Sequence, residues 1–509
     1  MIDSMPTVYL ATFTGTDWTV LAVYFLLLVF TGYWFSRRQQ HNTQDYFLAG
    51  RRIPAWAAAM SLMATALSGA TFIGTPYQSY KTNLTYVWSY AGQVLAALIV
   101  ASLFIPAFYR RNVTTVYELL DSRCGPNARR AASAMFMIGR IFASGARLYI
   151  AALAAAMILF GNTHLGSVTT AIAILTVVGI FYTLIGGIAA VVWTDVIQAC
   201  VFIFAVIAAI VLLKGDIPAD TSQIVVALAD DSKLTTFTFF GGFDPAFNYT
   251  LLTAIFGHML IGLGAFGTDQ DLTQRLLTCP TAGQARRAAI SGVLMTVPVA
   301  FLFLVVGLLL YVFYQRPDLM GGMQVVAPSQ PKDVFLTYIT HQLPAGLGGL
   351  MIAGLMAAAL SSTNSELNAM SSTAVCDFYR PLRPGRSEKH YLAAGRWGVA
   401  LWGVALGGFA VFSAYWHGQK EGQTLIDFAL GVMTFAYSGL VGVFLTVLLT
   451  KRGNTTSVIA ALLTGFTTVC LLNIYANKTL AFPWHMTIAT TLAFLICLTG
   501  NPKSYNPPR

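Results

Sequence analysis

Apolar runs about twenty residues long follow one another from residue 17 to residue 499, each able to cross the hydrocarbon core of a bilayer. They fall near 17–36, 54–80, 84–109, 131–160, 167–186, 188–214, 247–275, 288–314, 346–375, 393–415, 425–450, 455–475 and 481–499. In hydrocarbon every backbone amide and carbonyl needs a partner within the protein, so runs like these fold as helices. Composition agrees. Of the 509 residues 56% are hydrophobic and only 10% charged, against about 25% charged in a soluble domain. The chain reads as an all-α polytopic membrane protein with about 13 transmembrane helices and no separate soluble domain.

A net charge of +10 raises the question of nucleic acid, and the distribution answers it. With thirteen spans, 21 of the 30 Lys and Arg fall in the turns of one side, among them Arg37, Arg38, Arg51, Arg52, Arg110, Arg111, Arg275, Arg286 and Arg287. Seven fall on the other side, and Arg140 and Arg147 lie within a span. The positive-inside rule then places the N-terminus outside and the C-terminus in the cytoplasm, as for a multi-pass protein of a bacterial inner membrane. The charge records topology; no nucleic-acid partner is implied. The six cysteines are cytoplasmic or within spans on this topology, so no external disulfide framework is expected. The first span has no basic region before it and no small-residue cleavage site after it, and reads as retained.

Two spans are interrupted. In "SLMATALSGATFIGTPYQSY" the interruption is Ser68-Gly69, then Gly74 and Pro76; in "GHMLIGLGAFGTDQDLTQR" it is Gly257, Gly262, Gly264 and Gly267. Freed backbone groups are tolerated at membrane depth only where they line a cavity or a ligand. Counted from the span at 54–80, the interrupted ones are first and sixth, the pattern of a five-plus-five inverted repeat with its site at the midplane. The plainer reading is that glycines let helices pack closely. The loops 215–246 and 315–345 are long, and either short surface helices or a lid would fit them.

The most polar of the apolar runs is "MAAALSSTNSELNAMSST", residues 356–373. Counted from Ala358, Ser361, Ser362 and Ser365 lie at three, four and seven residues, on one helix face. Hydroxyls with a backbone carbonyl one turn back form a ladder of neutral hard oxygens, which suits a hard cation. One helix supplies too few ligands, and the break around Ala64–Gly69 would supply the rest. The competing reading is that such serines bond back to their own turn or pack small. Asp195 is an acid just inside a span, which faces either a cation or water, or else caps a helix nearby. Glu366 is expected to point off the serine face, toward a basic partner or the cytoplasmic vestibule. Arg140 and Arg147, seven apart, share a helix face and offer a planar fork to a carboxylate; the alternatives are a structural pairing with a buried acid or backbone carbonyls, or snorkelling by Arg140 toward the cytoplasmic end. The seven histidines show no metal-ligand spacing, and no phosphate-binding loop is present. An ion gradient is therefore the natural energy source.

Five stretches, "SLMATALSGATFIGTP", "NVTTVYELLDSRCG", "GGIAAVVWTDVIQ", "GTDQDLTQRLLT" and "LMAAALSSTNSELNAMSS", resemble the sodium/solute symporter family, which includes sodium-coupled sugar, proline and sialic acid transporters. The resemblance implies the LeuT-like five-plus-five fold, with an extra helix in 1–45, repeats in 46–215 and 216–450, and two more helices and a tail in 451–509. It places the shared sodium site on the carbonyls of Ala64, Leu67 and Ala358 and the hydroxyls of Ser361 and Ser362. A second sodium, found in some members, would use Asp195, Ser361, Ser362, Ser365 and Asn364, the last standing where a serine is expected. The substrate would meet Ser68, Thr71, Tyr86 and Tyr90, with Arg140 or Arg147 on its carboxylate; Ala66 and Tyr90 depart from the sialic acid pattern. The expected activity is sodium-coupled import of a small polar solute by alternating access. A carboxylate such as a sialic acid comes first, and a neutral sugar or amino acid second. A transporter-like sensor is the reading from another class, and a membrane enzyme the last. Substrate, sodium and bilayer are the partners implied; no obligatory protein partner is.

Overall fold

The computed structural model describes residues 14–36, 42–236, 244–323, 325, 327–328, 333–418 and 425–501. Among them, eight helices are long and apolar enough to cross a membrane, and a bent pair makes a ninth. Four shorter apolar helices, Gly15–Thr31, Leu165–Phe181, Thr253–Thr268 and Phe482–Leu498, fall on the remaining apolar runs. In chain order we label α1 (Gly15–Ser36), α2 (Ala55–Ala66), α3 (Gly69–Lys81), α4 (Leu84–Arg110), α5 (Pro126–Phe160) and α6 (Leu165–Asp216). There follow α7 (Thr253–Thr268), α8 (Gln270–Leu277), α9 (Ala282–Gln315), α10 (Leu347–Leu382), α11 (Glu388–Gly418), α12 (Leu425–Leu449), α13 (Thr455–Tyr475) and α14 (Phe482–Leu498). Both expected termini, with Arg37, Arg38, Lys503 and Arg509, lie outside the described residues.

α6 carries two of the runs, parted at Gly187, whose φ of +58° a residue with a Cβ resists. α10 starts where the chain has no side chain to spare: Gly346 has φ +88° and Gly349 lies against the backbone of Asp17. The buried Asp17 carboxylate, from the first turn of α1, accepts the amides of Gly346 at 2.8 Å and Gly349 at 2.7 Å. An acid at a helix N-terminus satisfies orphan amides and favours the helix dipole. α1 thus fixes the start of the serine helix.

The buried apolar side chains form two main clusters that part at one level. The boundary falls between Ala143 and Ala146 on α5, Val192 and Ala199 on α6, Val293 and Val299 on α9, and Ala359 and Leu367 on α10. In those gaps sit Ser144, Asp195, Thr296 and the whole of Ser361–Glu366, all buried. A polar layer therefore crosses the middle of the bundle. Of the two long loops, the first holds a short helix, Thr221–Asp230, and the second another, Val334–His341. The first loop is tied down by Arg316 on Asp231 at 2.8 Å and by Lys233 on the carbonyl of Tyr80 at 2.7 Å.

Candidate ion and substrate site

α2 stops at Ala66. Leu67 (ψ 89°) and Ser68 (ψ 178°) leave helical geometry, and α3 departs at 58° to α2. Glycine 74 and proline 76 do not make this break, contrary to expectation: Gly74 and Pro76 both lie inside the continuous α3. Among the described residues the Ser68 side chain caps neither helix end, so the carbonyls ending α2 need partners elsewhere. Ser362 Oγ meets one of them, 3.4 Å from the carbonyl of Thr65, and lies 3.3 Å from the carbonyl of Ala358. Both are longer than the usual 2.7–2.8 Å or so of an O–H···O bond. Oxygens that share a cation stand farther apart than oxygens that share a proton. Ser361 Oγ lies 3.5 Å from Thr65 Oγ1 and donates to Asp195 Oδ1 at 2.6 Å. Ala64, Leu67 and Ala358 are buried beside them. The neutral oxygens brought together here fit sodium. Thr65 belongs with them, and its place at a helix end beside the break was the signal that sequence reading passed over.

The second interruption has a different cause from the one expected. Gly262, Gly264 and Gly267 sit in packed helix, where a Cβ would come within 2.6 Å of Ala96, 2.5 Å of Tyr437 and 2.8 Å of Phe104. They serve close approach. The break is one residue, Asp269, extended at ψ 121° between a π turn (Gly264–Thr268) and α8. Asp269 caps α8 through the amide of Asp271 at 2.9 Å. Arg140 donates to Asp269 Oδ2 at 3.0 Å and also to Asp271, and Tyr437 donates to Asp269. Arg275 pairs with Asp271 at 2.9 Å and with Asp195 at 3.3 Å. Arg275, counted above among the surface charges, is fully buried. Three charged residues among the seven from Asp269 to Arg275 were legible as an excess of charge, and the Asp271–Arg275 spacing as a helical ion pair.

The second-sodium set is only partly assembled. Asp195 and Ser361 meet, but Ser61 and Arg275 also bond Asp195, so a guanidinium already supplies its counter-charge. Asn364 takes the hydroxyl of Thr183 at 3.3 Å, and Ser365 donates back to the carbonyl of Ser362 at 2.8 Å. The expectation that all five residues face one ion is corrected on that ground: Asn364 turns toward the first arm of α6.

A cavity of about 70 Å³ lies beside the first break, bordered by Ser68, Thr71, Tyr86, Tyr90, Gln93 and Arg147. Five of the six substrate candidates are there. The two arginines separate: Arg147 borders the cavity, whereas Arg140 does not, its guanidinium being engaged by Asp269 and Asp271. Arg140 as a substrate ligand is thus corrected to a structural cation. A larger void, of about 630 Å³, lies at the end bearing most of the basic turns, where Arg129 meets Asp377 at 2.6 Å. None of the candidate site residues borders it.

The model of the Sodium:solute symporter family matches residues 46–465. The chain belongs to the sodium:solute symporter family. This symporter is 27% identical to the sodium/sialic acid symporter SiaT of Proteus mirabilis over 89% of its own length and 88% of that protein's. It is 30% identical to the human sodium/iodide cotransporter over 73% of its length, and it spans 56% of the cotransporter's. Its backbone matches the substrate-bound outward-open state of a Na+-coupled sialic acid symporter at a TM-score of 0.81 and 25% identity, covering 96% of this chain and 98% of that one. A nucleobase-cation-symport-1 family transporter shares the fold alone, at a TM-score of 0.57 and 16% identity over 91% and 95%. The symporter is a multi-pass, sodium-coupled membrane transporter of the LeuT-like fold, not an enzyme.

Proposed function

We propose that this symporter imports a small carboxylate, with a sialic acid first among candidates, by alternating access across a bacterial inner membrane. The observation that carries the reading is Arg147, the single charged residue bordering the cavity among the described residues. A guanidinium fork binds a carboxylate through two parallel hydrogen bonds. Ser68 and Thr71 at the break, and Tyr86 and Tyr90 across from them, offer hydroxyls to the rest of the solute. Relatives named for sialic acid, for monocarboxylates and for iodide all carry anions, which agrees with a cationic wall.

Sodium is held by the carbonyls of Ala64, Leu67 and Ala358 and the hydroxyls of Ser361 and Ser362, with Thr65 beside them. One ion per cycle fits the geometry, since Arg275 already faces Asp195. The ten core helices divide as 46–215 and 216–450, flanked by 1–45 and 451–509. The N-terminus is outside, the C-terminus cytoplasmic, and the chain needs no protein partner.

The test is thermal stabilisation of the purified protein by sialic acids, short monocarboxylates, iodide, neutral sugars and amino acids, in sodium and in choline. A shift for an anion, seen only in sodium and abolished in Arg147→Ala, is expected. Stabilisation by a neutral sugar or amino acid that survives Arg147→Ala would replace this reading with that of a neutral solute.

A further inference from the structure

The cavity explains one side of Arg147. The other side faces Glu366 of α10, a carboxylate 1% exposed and placed in the same polar layer. Its Oε1 lies 3.7 Å from Arg147 Nη1 and 3.5 Å from Arg140 Nη2. Among the described residues Oε1 accepts no hydrogen bond, and Arg147 Nη1 donates none. The remaining polar contact of Arg147 is Nη2 with the sulfur of Met433 at 3.2 Å. Arg140, in contrast, is bonded by Asp269, Asp271 and Tyr437. Glu366 therefore has one cation bonded firmly to two aspartates and one loosely held cation, and the loose one opens on the cavity.

We infer that Glu366 is a resident substitute for the substrate's carboxylate: it holds Arg147 while the cavity is empty, and the incoming anion displaces it. This rests on the anionic-substrate reading above. A close bidentate pair is stronger than a contact at 3.7 Å, so an anion that docks squarely on Arg147 wins the exchange. Glu366 is then left to Arg140, whose two terminal nitrogens are already engaged by Asp269 and Asp271. A buried carboxylate that loses its partner is costly, and the strain is relieved if α10 shifts against α5. α10 also carries Ser361 and Ser362. The exchange thus reports the arrival of substrate to the helix that holds half of the sodium cage. Glu366 is a positioning residue in this scheme and need not touch the substrate.

The experiment is sodium-driven uptake into proteoliposomes by the full chain, wild type against Glu366→Gln and Glu366→Asp. The solute is whichever of sialic acid, a short monocarboxylate or iodide stabilises the wild type. With Arg147 freed, Glu366→Gln should lower KM about fivefold or more, the lower end of coupling between sites, while kcat falls. Glu366→Asp keeps the charge but shortens the reach, and should lower KM by a smaller factor and keep more of kcat. A purely structural ion pair gives the opposite sign, with KM raised or unchanged in variants that remain monodisperse; that result overturns the inference. If Glu366→Gln does not fold, Glu366→Asp decides alone, a lowered KM supporting exchange and an unchanged one contradicting it. Should no anion stabilise the wild type, the anionic-substrate reading fails first and this inference with it.

Discussion

The two interrupted helices are alike in place and opposite in chemistry. At the first, Leu67 and Ser68 leave neutral carbonyls facing neutral hydroxyls, beside a cavity. At the second, Asp269 is fastened by Arg140 and Tyr437, and α8 is held further by Gln270 on the backbone of Val116 at 2.9 Å and Gln274 on the carbonyl of Phe47 at 2.6 Å. A break satisfied weakly from within has capacity for a ligand. A break satisfied by buried charges has none, and works as a clamp beside the same cavity, which Phe266 and Leu272 also border. Matched positions in an inverted repeat therefore do not mean matched roles.

If the second break is a clamp, removing its central cation is the harshest change available. Arg140→Ala leaves Asp269, Asp271 and Glu366 short of positive charge, at a cost of about 3–5 kcal/mol. The expected result is a lower unfolding temperature and poor recovery of monodisperse protein, with or without sodium. Normal stability in Arg140→Ala would dissolve the contrast between the two breaks.

A milder blow to the same clamp is Gly264→Ala, whose Cβ would stand 2.5 Å from the ring of Tyr437. Pushing that ring away from Asp269 should destabilise by about 1–3 kcal/mol, the range of overpacking. Sodium affinity, read from the sodium dependence of the thermal shift, should stay within about twofold, or about 0.4 kcal/mol.

Asp195→Asn sharpens the boundary between the regions, because Asp195 bonds both Arg275 of the clamp and Ser361 of the neutral break. Uptake should keep a hyperbolic sodium dependence in the wild type and in this variant, with only the midpoint displaced. A sigmoidal wild-type curve that becomes hyperbolic in Asp195→Asn would instead establish a second sodium on Asp195. The smallest effect belongs to Ser365→Ala. Its hydroxyl bonds its own turn at 2.8 Å, and its loss should cost about 1 kcal/mol or less, with sodium affinity unaltered.

All thirteen apolar runs coincide with helices because hydrocarbon forces local hydrogen bonding, a constraint that sequence carries residue by residue. The serine face was legible for the same reason, since helical spacing alone puts Ser361 and Ser362 side by side. Less legible was what the glycines do. Gly262 and Gly264 break nothing, because a glycine in a bundle is decided by the neighbour it lets in, Ala96 or Tyr437, and those lie far away in sequence. The choice between Arg140 and Arg147 was equally closed to pattern. Two residues on one face differ here only because Asp269 and Asp271 reach the first and a cavity reaches the second. Asn364 was likewise closed to pattern, because its amide oxygen accepts from Thr183, a partner far away in sequence.

The account turns on the neutral break being the sodium site, and a sodium titration of Ser362→Ala beside the wild type, followed by thermal unfolding, tests it most directly. The prediction is an unchanged unfolding temperature without sodium and an apparent sodium affinity weaker by about tenfold, or 1.4 kcal/mol. Superimposable titrations of the two proteins would contradict it and move the ion elsewhere.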